Sequence, residues 1–246
     1  MITCKGQLQG NQWLRQYGGM DADYCEFVSV DIYDNVVTVG EFFGVANFGT
    51  ASSPVSFTSN GYTDIVISKL NAKGSAFWVI QIGGSGYDGA YDLVVDPAGN
   101  IFVSGQFKNT VDFDPGPATY DVTATATLQA NQFIVKLDLN GNFEWVKTFE
   151  SSSITALIDQ DANGNIYVSG PFTGTADFDP GPGVTNLTAA YSYNLFILKL
   201  DAQGNFKWVK QVGSYSHIFG TDVHADMDGN VVSVGYYRDT ITRTCK

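Results

Sequence analysis

The feature that most constrains this chain is an internal repeat with a period of 65 residues. Asn35, Asn100, Asn165 and Asn230 recur at that interval, and Gly and Asp residues around each Asn keep the same step. Self-similarity at a fixed period is the signature of proteins built from stacked, equivalent units. The matching segments are VSVDIYDNVVTVGEFF (28–43), LVVDPAGNIFVSGQF (93–107), IDQDANGNIYVSGPF (158–172) and VHADMDGNVVSVGYY (223–237).

Each unit predicts four β-strands, which we name A to D in chain order. The repeated segment holds strands A and B, and a second motif that carries Trp13, Trp78, Trp145 or Trp208 holds strands C and D. Apolar residues alternate with small or polar ones in all four, as expected of strands. Four-stranded units of this length in tandem predict the blades of a β-propeller, with a linear solenoid as the alternative. In the second unit the predicted strands are 88–96, 100–107, 131–138 and 143–149.

The two ends of the chain hold complementary halves of one unit. Residues 1–5 and 11–17 are in frame with strands C and D, whereas 217–237 hold strands A and B. We therefore predict an all-β fold, a single four-bladed β-propeller domain over 1–246 that is closed by N-terminal strands joining the C-terminal blade. The predicted blades are about 21–82, about 86–149, about 153–212, and about 216–246 plus 1–17.

The same turn, D-x-x-G-N, joins A to B and C to D, as in Asp96–Asn100 and Asp138–Asn142. An Asp side chain at the first position accepts backbone N–H groups across the turn, and Gly adopts a positive φ without a steric penalty. We therefore interpret these Asp residues as turn caps rather than as ligands.

The units resemble the bacterial beta-propeller repeat family known as SBBP. The residues that carry the resemblance are D-x-x-G-N-[IV]-[FYV]-V-x-G-x-F, the D-F-D-P-G-P loop at 112–117 and 177–182, and F-I-x-K-L-D-x-x-G-N-F-x-W. The resemblance covers nearly the whole chain and implies a secreted or surface bacterial protein, with no catalytic residues to carry over. The chain departs from it in having four units, because the family is named after seven-bladed propellers.

Composition narrows the functional classes. Aromatic residues are 14% of the chain, which argues against disorder, and the net charge is −12, which repels nucleic acid and anionic membranes. We expect neither nucleic-acid partners nor membrane insertion. The N-terminus shows no signal peptide, yet the Gly-, Tyr-, Asn-, Ser- and Thr-rich composition favours a secreted or cell-surface location.

Two D-F-D-P-G-P loops place carboxylates at positions i and i+2, where oxygen ligands could gather around Ca²⁺. The alternative is a turn capped by the first Asp, with Phe113 or Phe178 covering the edge of the blade. The first unit keeps Phe48 in frame but lacks the acid pair, which favours packing. Calcium is the one cofactor that the sequence suggests, and its candidate ligands are Asp112, Asp114, Asp177 and Asp179.

Other candidate residues are a histidine and the aromatic side chains. His224 lies two residues from Asp222 and Asp226, which suggests a general base, although a hydrogen-bonded structural histidine is the ordinary explanation. The four Trp residues could stack on sugars, but their regular place on strand D favours packing between blades. The candidate binding surface consists of loop tyrosines, Tyr62, Tyr120, Tyr191 and Tyr193.

The chain has three cysteines. Cys4 is in frame with strand C of the closing blade, and Cys245 follows strand B of that blade. Adjacent strands place opposite residues within disulfide reach. We therefore expect a Cys4–Cys245 disulfide that excludes Cys25. Three reduced cysteines in a cytosolic protein are the alternative.

These features predict a non-enzymatic, secreted or surface propeller that serves in structural assembly or adhesion. A fourth blade without the long outer loop leaves strand edges that could pair with another copy, giving a filament or array. The expected partners are therefore the protein itself, other surface proteins, or glycans. A carbohydrate-binding lectin is the first alternative, and a polysaccharide-active enzyme is the second.

Overall fold

The computed structural model describes most of the chain, and its strands form antiparallel sheets. No helix occurs among the strands, turns and bends of this described part, so the predicted all-β class is confirmed there. None of its elements is a helix long and apolar enough to cross a membrane. The described residues are 2–8, 11–50, 53–125, 130–150, 156–189, 193–214, 217–226, 228–238 and 241–242.

The strands follow the predicted order along the chain. The N-terminal strands and the first repeat comprise β1 (Ile2–Leu8), β2 (Asn11–Gly19), β3 (Asp23–Val30), β4 (Val36–Phe42), β5 (Val45–Asn47), β6 (Ser56–Thr58), β7 (Asp64–Leu70) and β8 (Ala76–Gly84). The second repeat comprises β9 (Gly89–Val95), β10 (Ile101–Phe107), β11 (Thr110–Asp112), β12 (Asp121–Thr123), β13 (Asn131–Leu137) and β14 (Phe143–Glu150). The third comprises β15 (Leu157–Gln160), β16 (Ile166–Phe172), β17 (Thr175–Asp177), β18 (Asn186–Thr188), β19 (Asn194–Leu200) and β20 (Phe206–Ser214). The C-terminal strands are β21 (His217–Ala225), β22 (Val231–Arg238) and β23 (Ile241–Thr242).

Each complete repeat forms the predicted A-B-C-D meander. The sheet orders are β12-β11-β8-β7-β4-β3, β14-β13-β10-β9 and β15-β16-β19-β20-β23. The chain forms two compact units, one of residues 1–103, 107–124 and 135–145, the other of 104–106, 125–134 and 146–246. The sheets β1-β2-β5-β6 and β12-β11-β8-β7-β4-β3 lie in the first unit, and β21-β22 lies in the second. The predicted blade boundaries stay a prediction.

The D-x-x-G-N turns are capped by their Asp side chains, as predicted. In the third repeat, Oδ1 of Asp161 accepts the amides of Asn163 and Asn165 at 2.9 and 3.0 Å. Its Oδ2 accepts the Asn165 side-chain amide at 2.7 Å, and Gly164 has a φ of 80°. Because one carboxylate fixes both ends of the turn, it also fixes the strand register on either side. The same Asp–Asn side-chain bond recurs from Asp31, Asp96, Asp138, Asp201 and Asp226.

The long B–C loop contains a short hairpin that the sequence did not predict. In the second repeat this hairpin, β11–β12, extends the sheet of the first repeat, because Asp112 and Val111 pair with Gly83 and Gly84 of β8. The hairpin β5–β6 joins β2 in the same way. A Cβ atom on Gly84 would overlap the carbonyl oxygen of Thr110, so this approach requires glycine.

A pair of aromatic rings anchors each outer hairpin to its own repeat. Phe48 packs edge-on against Phe42 with ring centroids 5.2 Å apart, and the same 5.2 Å contact joins Phe113 to Phe107. Phe178 and Phe172 repeat it in the third repeat. These rings are at most 1% exposed, so the predicted packing role of the loop phenylalanines is confirmed.

Buried carboxyl groups occupy the junction between strand D and the next strand A. Asp88 is fully buried, and its two oxygens accept the amides of Gly84 at 2.7 Å and Lys108 at 3.2 Å. Asp23 accepts the Gly19 amide at 2.6 Å in the equivalent place. Burial raises the pKa of Asp88 to about 6, and nearby Asp64 adds to the shift.

This carboxyl group gives stability a defined pH dependence. Because the folded pKa lies above the unfolded value of 3.8, the contribution of Asp88 is complete below that value and declines as pH rises through about 6. We expect the free energy of unfolding to lose up to about 3 kcal/mol from this group across that window. Urea unfolding of the wild type and Asp88→Asn at several pH values measures the difference. If the free energy of unfolding depended on pH equally in the two proteins, Asp88 would not be the group responsible.

Candidate functional site

A buried ion pair links the A–B turn to strand C in the first repeat. Lys69 Nζ lies 3.1 Å from Asp31 Oδ2, and the two side chains are 7% and 1% exposed. Burial alone would raise the pKa of Asp31, but hydrogen bonds from Asn35 and then Lys69 hold it below its ordinary value. Lys69 also donates to the Leu139 carbonyl at 3.4 Å and lies opposite Trp78 across the β7–β8 pair.

The third repeat contains the same arrangement with a tyrosine added. Lys199 Nζ lies 3.6 Å from Asp161 Oδ2 and donates to the Tyr167 hydroxyl at 2.6 Å. That hydroxyl also has two hydrogen-bond acceptors for its single proton, Asp161 Oδ2 and the Gly229 carbonyl, each at 3.0 Å. The hydrogen bond with Tyr167 is the main cause that raises the pKa of Lys199.

The second repeat has a phenylalanine at the tyrosine position. Phe102 is 1% exposed, and its ring packs edge-on against Trp145 at a centroid distance of 6.0 Å. Lys136 Nζ lies 5.5 Å from the Phe102 ring centroid and 2.7 Å from Glu144 Oε2. The lysine of this repeat therefore pairs with an acid on strand D.

The first repeat has Val37 at this position, and a cleft lies beside its ion pair. The cleft has a volume of about 230 Å³, and its walls include Asp31, Lys69, Trp78 and Gly99. Exposed apolar side chains stand at its mouth, because Tyr33 is 72% and Phe77 60% exposed. The cleft is a concave surface, open to solvent, that is lined by a charged pair and an indole ring. This combination is typical of small-molecule sites.

A separate row of aromatic side chains, which we call the aromatic strip, consists of Tyr24, Phe43, Tyr62 and Tyr87. Ring centroids along it are 6.5, 5.1 and 6.3 Å apart. Tyr62 is 66% exposed and Tyr24 48%. The Tyr87 hydroxyl donates to the buried carboxylate of Glu41 at 3.0 Å. Burial raises the pKa of both Glu41 and Tyr87, and the negative charge of Glu41 raises that of Tyr87 further.

The predicted calcium ligands cap their own loops. Asp112 Oδ1 accepts the amides of Asp114 and Tyr120 at 3.0 and 2.8 Å, and Asp177 Oδ1 accepts those of Asp179 and Thr185 at 3.0 and 2.8 Å. Asp114 and Asp179 each accept one glycine amide at 2.8 Å. Within the described ranges, no three His, Cys, Asp or Glu residues are grouped to hold a metal ion. Calcium binding stays a prediction.

The histidine and tryptophan residues have structural contacts. His224 Nδ1 lies 2.8 Å from Asp159 Oδ2, rather than pairing with the predicted Asp222 or Asp226, and its side chain is 78% exposed. Trp13 and Trp78 pack against Gly74 and Gly141 of C–D turns in the following repeats, as a packing role predicts.

The remaining predicted residues are only partly described. Tyr120 packs on Phe143 at 4.8 Å and is 48% exposed, whereas Tyr193 is half-buried and Tyr191 lies outside the described residues. Cys4 lies on β1 opposite Arg15, and Cys25 is half-buried on β3. Cys245 lies outside the described residues, so the disulfide with Cys4 stays a prediction.

Asn47 provides a matched control for the loop caps. Its single Oδ1 atom accepts the amides of Gly49 and Val55 at 2.9 and 3.1 Å, as Asp112 Oδ1 does in the second repeat. We expect Asp112→Asn to change the free energy of unfolding by less than about 0.5 kcal/mol and Asp112→Ala to lower it by about 1–2 kcal/mol. Urea unfolding in calcium and in chelator measures both. Calcium-dependent stability that Asp112→Asn abolishes would contradict the capping role and support a calcium site.

Two comparisons with known proteins bear on the family. A model of the SBBP beta-propeller repeat matches residues 78–106, which run from strand D of the first repeat through strand B of the second. The chain is also 24% identical, over 265 aligned positions, to an uncharacterized WD repeat-containing protein of Acanthamoeba polyphaga mimivirus. That alignment covers 92% of this chain and 19% of the relative, so the chain spans about a fifth of the relative's length. The resemblance read from the sequence is thus confirmed, and the chain carries a beta-propeller repeat of the SBBP type.

Proposed function

We propose that the chain is a four-bladed propeller closed between its first and last repeats, and that it acts as a non-enzymatic binding and assembly module at the cell surface or outside the cell. The repeat frame supports four blades, because β1–β2 align with strands C and D and β21–β22 with strands A and B. Calcium stays a candidate ligand of the D-F-D-P-G-P loops.

Side-chain exposure supports closure. The strand A position held by Leu93, Ile158 and Val223 is 4–7% exposed, yet its in-frame equivalent Val28 is 61% exposed. Val232 is likewise 61% exposed, although Phe102 and Tyr167 at the same position are buried. An apolar position that is buried in the other repeats and exposed in a terminal one lacks its covering neighbour. Closure would cover both.

One substitution tests this part of the proposal. In a closed ring, Val232→Asp places a charge in an apolar interface, so we expect the free energy of unfolding to fall by more than about 2 kcal/mol. Val184→Asp is the matched control, since Val184 is 72% exposed, and should shift stability by less than about 0.5 kcal/mol. Equal effects, or dissolution of an oligomer by Val232→Asp without loss of monomer stability, would contradict closure.

The observation that carries the binding function is the aromatic strip. Exposed, mutually packed aromatic rings are typical of surfaces that bind a partner, because their large apolar faces contact it at low entropic cost. The carboxylates of Asp31 and Asp161 cap turns and pair with lysines, and those of Asp64 and Asp88, which lie near each other, are fully buried. This use of the acidic residues supports a binding role rather than polysaccharide hydrolysis, the second alternative.

Self-association of the purified protein tests this role. We expect concentration-dependent assembly, seen by sedimentation velocity and as filaments or arrays by negative-stain microscopy. A Tyr24→Ser, Tyr62→Ser double variant should weaken assembly at least about tenfold through loss of its central aromatic contacts. Tyr33→Ser is the control, since Tyr33 is also exposed but lies outside the strip. A wild type that stays monomeric at high concentration, or equal effects of both variants, would contradict the proposal.

A carbohydrate-binding lectin is the second candidate function, and the cleft beside Trp78 favours it. The cleft combines an indole ring with charged and amide groups, the side chains that proteins use to bind sugars through ring stacking and hydrogen bonds. Its walls do not include the aromatic strip, so the two candidate functions depend on different residues.

A further inference from the structure

We infer that the cleft in the first repeat binds a carbohydrate, with a ligand hydroxyl between Lys69, Asp31 and Gly99 in the place that the Tyr167 hydroxyl has in the third repeat. This inference deepens the lectin alternative and depends neither on ring closure nor on the aromatic strip. It rests on one difference between two otherwise matching repeats, Val37 against Tyr167.

Val37 and Tyr167 have equivalent surroundings in their repeats. Val37 pairs with Lys69 across β4 and β7, just as Tyr167 pairs with Lys199 across β16 and β19. The distance from the lysine Nζ to the glycine of the facing turn is also similar in the two repeats. A Cβ atom on Gly99 would lie 3.9 Å from Lys69, and one on Gly229 would lie 3.8 Å from Lys199. The space in front of each ion pair is therefore bounded in the same way.

The third repeat shows what chemistry that space selects. The Tyr167 hydroxyl accepts a hydrogen bond from Lys199 and donates toward Asp161 and the Gly229 carbonyl. A ligand hydroxyl can likewise accept a hydrogen bond from an ammonium group and donate one to a carboxylate. In the first repeat, Val37 has no such group, and its ion pair opens on the cleft.

Lys69 keeps donor capacity for a ligand. Its ammonium group carries three N–H donors, and in the described part of the chain Asp31 and the Leu139 carbonyl accept from it at 3.1 and 3.4 Å. The side chain is 7% exposed, so a hydrogen bond formed there is shielded from bulk water. A ligand hydroxyl would accept a hydrogen bond from the remaining N–H of Lys69, as the Tyr167 hydroxyl accepts one from Lys199.

The rest of the cleft favours a sugar over a simple phenol. Trp78 and exposed Phe77 supply aromatic surface, and Asn35 and Asn140 supply amides that exchange hydrogen bonds with further hydroxyls. A sugar ring carries several hydroxyl groups, whereas a phenol carries one. The volume of about 230 Å³ lies below the ~300–1,000 Å³ of sites for drug-sized ligands, which suits one sugar ring with its chain continuing into solvent.

The protein itself provides the variants that test the site. Val37→Tyr should place a ring and hydroxyl in the cleft, and Val37→Phe should place a ring alone, as in the third and second repeats. Lys69→Gln removes the ammonium group while Asp31 keeps its bonds to Tyr33 and Asn35. Val37→Ile is the control, because it changes volume without reaching the ion pair. Circular dichroism and thermal unfolding confirm that each variant is folded.

A glycan array probed with the 246-residue chain identifies the best saccharide, and calorimetry measures its affinity. We expect Val37→Tyr, Val37→Phe and Lys69→Gln to weaken binding at least tenfold and Val37→Ile to change it less than threefold. Tyr167→Val should open an equivalent cleft and raise the stoichiometry from one saccharide to two. p-Cresol serves as the phenol probe.

Three results would overturn the inference. They are a wild type that binds no saccharide on the array, binding of p-cresol in place of any saccharide, and saccharide binding that Val37→Tyr and Lys69→Gln leave unchanged. The assembly test with Tyr24 and Tyr62 concerns a different surface, so a negative result for one proposal does not contradict the other. A Lys69→Gln variant that fails to fold leaves Val37→Tyr and Val37→Phe to decide the outcome.

Discussion

The structure depends above all on the carboxylate that caps each D-x-x-G-N turn. In the third repeat, Asp161 accepts two backbone amides and one side-chain amide within a single turn. The turn sets the register of the strands it joins, and register decides which side chains share a face of the sheet. The same carboxylate then lies beside Lys199, on the neighbouring strand. One residue therefore fixes the hairpin and also supplies the negative charge of a polar cluster, which consists of the Asp161 carboxylate, the Lys199 ammonium group and the Tyr167 hydroxyl.

Much of the fold follows from the sequence because its signals are local. Strand bounds in the second repeat agree with the prediction within one residue, since period-two alternation marks each strand and a D-x-x-G-N turn marks the A–B and C–D junctions. The outer hairpins were missed because a three-residue strand such as β11 carries too little alternation to be recognised. The available signal was the glycine pair at Gly83–Gly84, where a side chain would prevent the hairpin from approaching.

The candidate site was harder to predict, because it arises from a difference between repeats. The sequence marked Tyr62 as exposed, which it is, but the aromatic strip depends on how loops from separate strands meet. The aligned repeats did contain the signal for the cleft, namely Val37 in frame with Phe102 and Tyr167. Its meaning required the distances from Lys69 to Asp31 and to the glycine turn, which sequence spacing does not give.

The three lysines show how one repeat frame separates stability from recognition. A buried ion pair contributes little net stability, because desolvation of both charges offsets their attraction, unless further hydrogen bonds satisfy the remaining N–H donors of the lysine. In the third repeat the Tyr167 hydroxyl accepts such a bond from Lys199. In the second repeat Phe102 fills the space, and Lys136 pairs with Glu144. In the first repeat the smaller Val37 leaves the Lys69 pair facing a cleft. A single position on strand B thus decides whether the polar cluster is completed from within the chain or by a ligand, while the strand pairing of the fold stays the same.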